Sequence, residues 1–512
     1  MPRTSDASAD RLRRSSRWFL AACAIALALR VTTLIPEIDA PHAWRQCDTA
    51  SFTHNFYTGG IHLLAPQVHW LGNHRTLLLE FPLSEAIVAL LYHLVTESLI
   101  VDRLVYLAFF IGSAFYFHRT VRLFEDRTFA RISTVAYAFI PLGIFYSRAV
   151  HIDFAAMFFA HGLLYHGLRA ATAGAPVQWI ATLVMGIFAF LIKAPYALPA
   201  IPAILTPLVL RFDRRRAVTM ATVLGLMVVP FAGWRVLAAR NAATIPDLSV
   251  IPHWYSQGDM AWWYFGTLDQ RTSYANWREL LYYRTVDSSL GWVAAIVVAA
   301  GALIFLFRRR HTIASRVMVA AWAAGLAAYV LIFFNLHLEM DYYQIPMMGV
   351  WAWWAATAVD AIATRHRLVG LAVGIVALIA CVVVSRTSFF FPRTDQVAAA
   401  HLISEATPAD GLVIAVDSGV TLYSAPCTLS ESDRFGWALH TTWLSPAVVA
   451  RLKELGATHV ALYTRKPEEV ALHACPFCGV PVVERARTLA GSLVSVFDLR
   501  APPAPAVVPI SH

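Results

Sequence analysis

Apolar runs of membrane-crossing length recur along most of this chain, separated by short polar turns rich in arginine. A span needs about 20 mostly apolar residues. Such runs lie at 18–35, 101–118, 129–147, 154–170, 176–192, 196–210, 217–237, 290–307, 317–334, 345–363 and 368–385. One more run, Phe81 to Glu97, is shorter and holds Glu85 and His93. If it spanned, the cluster Arg119, Arg122, Arg127 and Arg131 would fall outside. If it does not, every basic cluster falls inside: Arg11 to Arg17, Arg119 to Arg131, Arg211 to Arg216, Arg308 to Arg316, and Arg365 with Arg367. The positive-inside rule therefore predicts about 11 spans, with 81–97 a helix lying at the outer interface or packed within the protein.

This topology places the N-terminus 1–17 in the cytoplasm and the C-terminus outside. The transmembrane region is 18–385, with long outer loops at 36–100 and 238–289. The second loop is dense in Trp and Tyr, which suits the headgroup level or a sugar or lipid groove. The start, "RLRRSSRWFLAACAIALALR", has the basic-then-apolar order of a signal peptide. Because the apolar run continues to Ile35 and many spans follow, it reads as a retained first span.

After Arg386 the periodicity changes. "GLVIAVD" (411–417), "THVALYT" (458–464) and "SLVSVFDL" (492–499) read as strands. "TDQVAAAHLISEA" and "SPAVVARLKELG" read as amphipathic helices, the second stopped by Gly456. The expectation is a small extracytoplasmic α/β domain over 386–500, followed by a Pro-rich disordered tail, 501–512. No internal repeat of the kind found in duplicated transporters is visible.

Composition agrees. The 512 residues are 58% hydrophobic and 14% charged, against about 25% charged in soluble domains. The net charge of +9 sits in the clusters between spans, so it reads as a topology signal, with no nucleic-acid partner. Of six cysteines, only Cys475 and Cys478 have a suggestive spacing. A zinc ribbon would need a second such pair, so a local disulfide or two free thiols is expected.

Candidate chemistry gathers on the outer side. Arg45, Asp48, His69, His74, Arg75 and Glu80 lie in the first outer loop. "YSRAVHIDF" supplies Arg148, His151 and Asp153, "LIKAPY" supplies Lys193, and "NLHLEMDYYQIP" supplies His337, Glu339, Asp341, Tyr342, Tyr343 and Gln344. Several have plainer readings. Asp48 can cap a helix "TASFTHNFY" ended by Gly59 and Gly60, or pair with Arg45. Asp153 can cap the following span. Lys193 can snorkel to the interface, yet it points away from the positive clusters, where it suits an anionic lipid headgroup or phosphate. No HxxxH or HExxH pattern points to a metal.

The segments "WRQCDTA", "EFP" and "HLEMDYYQIP", in this order and on this side, resemble the GT-C superfamily of polyprenyl-phosphate-sugar glycosyltransferases. The nearest branches are the protein O-mannosyltransferases and the lipid A aminoarabinose transferases. The resemblance implies an α-helical polytopic membrane protein with the small α/β domain outside. It also implies an inverting glycosyl transfer at the outer face of the inner (plasma) membrane. The donor would be a polyprenyl-phosphate sugar, and the acceptor a hydroxyl on a lipid, glycan or protein. By resemblance, Asp48 and Asp153 are catalytic, with Asp48 the base. Lys193, Arg148 and Arg45 hold the donor phosphate, and Glu80, His337, Tyr342 and Tyr343 line the substrate. No cofactor is required, though a divalent metal is possible, with Glu80 as its candidate ligand. The mannosyltransferase branch has an Asp-Glu pair where this chain has Asp48-Thr49. Three other classes share part of the pattern: a lipid-diphosphate polymerase or ligase, a lipid-linked sugar transporter, and a membrane scaffold for the C-terminal domain.

Overall fold

The computed structural model describes residues 4–252, 260–307, 311–417, 426–465, 480 and 482–501, with side chains from residue 17 onward. Cys475, Cys478 and most of the tail lie outside the described residues. Helices stand on all the predicted apolar runs. In order they are α1 (Thr4–Val31), α2 (Ala43–Gly59), α3 (Leu83–Leu94), α4 (Leu99–Val121), α5 (Arg127–Phe139), α6 (Pro141–Tyr146), α7 (Asp153–Ala173), α8 (Pro176–Ala197), α9 (Ala200–Leu210) and α10 (Arg214–Ala242). The short α11 (Met260–Phe265), α12 (Leu268–Thr272) and α13 (Tyr274–Arg278) precede a π-helical stretch, Glu279–Leu290. Then come α14 (Trp292–Phe307), α15 (Ile313–Ile332), α16 (Phe334–Glu339), a 3-10 turn Asp341–Met347, α17 (Met348–Ala363) and α18 (Arg367–Ser388).

Among the described residues, five helices are long and apolar enough to cross a membrane by length and composition: α4, α8, α10, α15 and α18. A sixth span results if Tyr274–Leu290 and α14, bent by 109° at Gly291, are one. The number falls short of the expected eleven partly because predicted runs are broken. The run 129–147 parts at Ile140, whose ψ of 127° obeys the bias of a pre-proline residue away from helix.

The chain divides into two compact units, each with its own packing. The first comprises 1–35, 102–236 and 259–390. Its helices pack both with sequence neighbours, α7 against α8, and with remote partners, α14 against α17 and α15 against α9. Arg30, in the first apolar run, is fully buried here. It donates to Ser147 Oγ (2.6 Å), Ala138 O (2.8 Å) and Gly143 O (3.2 Å), so it serves carbonyls on both sides of the α5–α6 break. A guanidinium, with five donors in a planar fork, can meet three acceptors at once.

The second unit comprises 36–101, 237–258 and 391–512. This grouping differs from the expected division. All of the first outer loop and the start of the second group with the C-terminal sheet, and the boundary falls at 390/391 rather than 385/386. The sheet holds β1 (Leu412–Asp417), β2 (Phe435–His440), β3 (His459–Thr464), β4 (Val482–Arg487) and β5 (Leu493–Asp498), in the order β2-β1-β3-β5-β4. β1 is parallel to β2 and β3, while β5 is antiparallel to β3 and β4. The predicted strands are β1, β3 and β5. The predicted helices are α19 (Thr394–Ala406) and α21 (Pro446–Glu454), and α20 (Cys427–Ser432) lies between them.

β1 reads as an unbroken apolar run because both faces are covered. Leu412, Ile414 and Val416 pack with Leu248, Ile251, Val448 and Leu452. Val413 and Ala415 pack with Phe52, Val68, Trp70, Ala399 and Ile403. The loop 67–76 also docks by backbone. Gly436 N donates to His69 O (2.8 Å) and Gly72 N donates to Gly436 O (2.7 Å). Gly436 has to be glycine, since a Cβ there would lie 1.8 Å from Val413 O. Cys47 of α2 is disulfide-bonded to Cys427 of α20, across 380 residues of sequence.

Candidate active site

The first unit gathers Asp153, Lys193, Tyr342 and Tyr343. Asp153 opens α7 but does not cap it, since no side-chain cap hydrogen bond forms there. Its Oδ1 instead accepts from Lys193 Nζ at 2.5 Å, and its Oδ2 lies 3.0 Å from His151 Nδ1. Asp153 and His151 are fully buried and Lys193 is 4% exposed, so Lys193 does not snorkel. It sits where α8 breaks, at φ −161° and ψ 80°. Pro195, two residues on, has no N–H to donate and clashes with the preceding turn. The break turns the ammonium into a box of three tyrosine rings. Nζ stands 4.6 Å from the centroids of Tyr196 and Tyr342 and 4.4 Å from that of Tyr343. An ammonium at these distances is attracted by the ring quadrupoles, and more strongly when desolvated.

The box has its own supports. Tyr196 Oη donates to Tyr342 O (2.7 Å), and Tyr329 Oη donates to Tyr343 O (2.8 Å). Tyr146 Oη donates to Asp341 Oδ1 (2.6 Å). His337 is fully buried, edge-on to Tyr329 at 4.6 Å and 6.2 Å from the Tyr343 ring. Arg148 is also buried, with its guanidinium over the rings of Phe145 (5.0 Å) and Phe390 (4.5 Å).

The second unit gathers Arg45, Asp48 and Glu80. The helix that holds Asp48 starts earlier than expected, at Ala43, with His42 in the left-handed region as its N-cap. Asp48 therefore lies inside α2 and does not cap it. The predicted stop holds, for α2 ends at Gly59 and Gly60 takes φ 91°. Asp48 is 1% exposed. Its Oδ1 accepts from Trp70 Nε1 at 2.8 Å, and its Oδ2 lies 3.8 Å from Arg45 Nη1. Arg45 reaches on to Glu80 Oε2 at 2.5 Å. Burial pushes the Asp48 carboxyl up to about 7, against the opposing pull of Arg45 and of the Trp70 N–H. Among the described residues, metal-ligating side chains gather three at a time in two places, and Glu80 is in neither.

Sequence reasoning missed Trp70, Tyr196 and the disulfide partner Cys427. Trp70 and Cys427 meet their partners across many residues of chain, and pattern along the sequence gives no such pairing. Tyr196 alone had a local clue, in its spacing of three from Lys193.

The chain shares its fold with the solved structures of ArnT, the arabinofuranosyltransferase AftD and the oligosaccharyltransferase AglB. Residues 80–234 match the family model described as dolichyl-phosphate-mannose-protein mannosyltransferase. The crystal structure of ArnT from Cupriavidus metallidurans bound to undecaprenyl phosphate is similar at TM-score 0.63 and 13% identity, over 94% of this chain and 98% of that one. The arabinofuranosyltransferase AftD from Mycobacteria is similar at TM-score 0.59 and 14% identity, over 95% of this chain and 40% of that one. The archaeal oligosaccharyltransferase AglB from Archaeoglobus fulgidus, in complex with an inhibitory peptide and a dolichol-phosphate, is similar at TM-score 0.51 and 11% identity, over 97% of this chain and 75% of that one. No curated protein matches the chain by sequence.

Proposed function

We propose that this protein is an inverting glycosyltransferase that moves a sugar from a polyprenyl-phosphate donor to an acceptor hydroxyl outside the membrane. The observation that carries the reading is Lys193: a buried ammonium at a helix break, inside three aromatic rings, with Asp153 as its counter-ion. Tyrosine faces and one carboxylate hold the positive charge in place before any ligand arrives. A charge held this way can stabilise the negative lipid phosphate as it leaves, without reorganisation at the moment of reaction. Two structures of the same fold have a polyprenyl phosphate bound, undecaprenyl phosphate in one and dolichol-phosphate in the other.

In the reaction, the acceptor oxygen forms a bond to the sugar's anomeric carbon, and the bond from that carbon to the phosphate oxygen breaks. The acceptor's proton passes to a base, and the lipid phosphate departs with the electron pair. One displacement inverts the anomeric centre. Asp48 is the base, because a carboxyl pushed up to about 7 is matched to accept a proton near neutral pH. Arg45 holds it partly ionised, and Trp70 fixes its direction. The Cys47–Cys427 disulfide supports placing the second unit in an oxidising compartment outside the inner membrane.

The test is a transfer assay in membranes expressing the protein, offering a panel of polyprenyl-monophosphate sugars. Wild type consumes one donor and releases polyprenyl phosphate, while Asp48→Asn at equal expression does not. Consumption unchanged in Asp48→Asn removes Asp48 from the role. Failure with every monophosphate donor, acceptors included, overturns the reading.

A further inference from the structure

Away from Asp48, the other end of α2 carries a second constellation, formed by His54, His69 and Asp433. His54 Nε2 lies 3.3 Å from Asp433 Oδ1, and His69 Nε2 lies 3.6 Å from the same oxygen. The three ligand atoms all fall within 4.8 Å of one another. Atoms bound tetrahedrally to zinc at about 2.0–2.1 Å stand roughly 3.3 Å apart.

The opposite nitrogen of each imidazole is already engaged. His54 Nδ1 is 2.6 Å from Glu97 Oε1, a carboxylate that only accepts, so this nitrogen carries a proton and Nε2 is the nitrogen left to a metal, which would displace its proton. His69 Nδ1 is hydrogen-bonded to Ser51 Oγ, which also accepts from the His69 backbone N–H. His69 is 1% exposed, and its Nε2 is a buried nitrogen with no hydrogen-bond partner. A buried polar atom of this kind calls for an explanation, and an ion is one. Carboxylate or hydroxyl support behind a ligating imidazole is the usual arrangement around metals.

The ligands are also held before any ion arrives. The His69 ring stacks on Phe435 at 4.7 Å. Asp433 sits at φ 52°, closing α20, and the next residue, Arg434, is buried and donates to Thr407 O and Ser404 O. The Asp433 side chain is 65% exposed, so an ion here would keep a solvent-facing position.

We propose that His54, His69 and Asp433 bind a divalent transition metal of the zinc type, with a fourth position left to water. The ion would tie the C-terminal half of α2 to the turn after α20, as the Cys47–Cys427 disulfide ties the first half of α2 to the start of α20. The site lies wholly within the second unit and is independent of the sugar-transfer reading.

The experiment uses the purified full chain in detergent, without an affinity tag, stripped with a chelator and reloaded with Zn²⁺. Metal content per chain and the thermal midpoint are measured with and without zinc. Wild type is expected to retain about one zinc per chain and to gain thermal stability from it, since an ion that binds only the folded state stabilises it. Asp433→Asn and His54→Gln are expected to lose both effects. Asn tolerates the left-handed backbone at 433, so that variant keeps the turn. Zinc retained equally by wild type and both variants overturns the site, as does a stripped wild type that takes up none.

Discussion

Lys193 Nζ and Asp153 Oδ1 meet at 2.5 Å, a pair drawn from the break in α8 and the first residue of α7, and both side chains are buried. The loss of one partner from such a pair leaves a charge that water cannot reach, at a cost of about 3–5 kcal/mol. Lys193→Met is therefore expected to lower the thermal midpoint and to abolish transfer. Adding Asp153→Asn to it should recover much of the stability and none of the transfer. A double-mutant cycle, with unfolding and turnover measured side by side, separates the two effects.

On the proposed function Asp48 takes the acceptor's proton, which it can do only when ionised, and burial pushes its carboxyl up to about 7. The rate of transfer should rise with pH through about 7 and level off above it. Arg45 lowers this value through its charge, so Arg45→Gln should move the rising limb to higher pH. Asp48→Asn should cost about 10²–10⁴-fold in turnover and remove the limb. The pH profile of turnover under saturating donor checks all three.

The tyrosines around Lys193 should matter by their rings. Tyr343→Leu removes one of the three aromatic faces and is expected to weaken donor binding by about 0.5–2 kcal/mol, while Tyr343→Phe keeps most of it. The measurement is the concentration dependence on the polyprenyl-phosphate sugar, read as KM against kcat.

Arg30 serves three acceptors at the α5–α6 break. Arg30→Met takes this donor from the carbonyls of Ala26, Ala138 and Gly143, of which Gly143 O still accepts from Ser147 N, at about 1–3 kcal/mol for a buried group left unmet. Arg30→Lys keeps the charge but cannot reproduce a planar fork, so it should recover only part of the loss. Thermal unfolding in detergent ranks the two variants.

Reduction of the Cys47–Cys427 disulfide, or Cys427→Ser, is expected to destabilise the second unit by about 2–5 kcal/mol. Mass spectrometry after thiol labelling should find Cys47 and Cys427 unreactive in the oxidised protein and labelled after reduction.

The chain's own pattern was enough for much of the architecture. Apolar runs of span length placed the helices, because a helix buried in lipid must be apolar along its length and satisfies its backbone internally. Short apolar runs bounded by turn residues placed β1, β3 and β5, and amphipathic spacing placed α19 and α21. β4 escaped because "VVERAR" lies on an exposed edge and carries charges, and β2 escaped because "FGWALH" carries a glycine forced by close packing. Lys193 was also legible, as a lysine stranded at the end of an apolar run next to a proline.

Tertiary structure decided the rest. Whether Asp48 caps a helix or lies inside one depends on where α2 begins, and Trp70, which fixes its carboxylate, arrives from a separate segment. Membership of the first outer loop in the sheet's unit rests on cores shared by residues hundreds of positions apart. The same holds for the pairing of Cys47 with Cys427 and the meeting of His54, His69 and Asp433. Periodicity reports which face of an element is buried, and only packing determines what it is buried against.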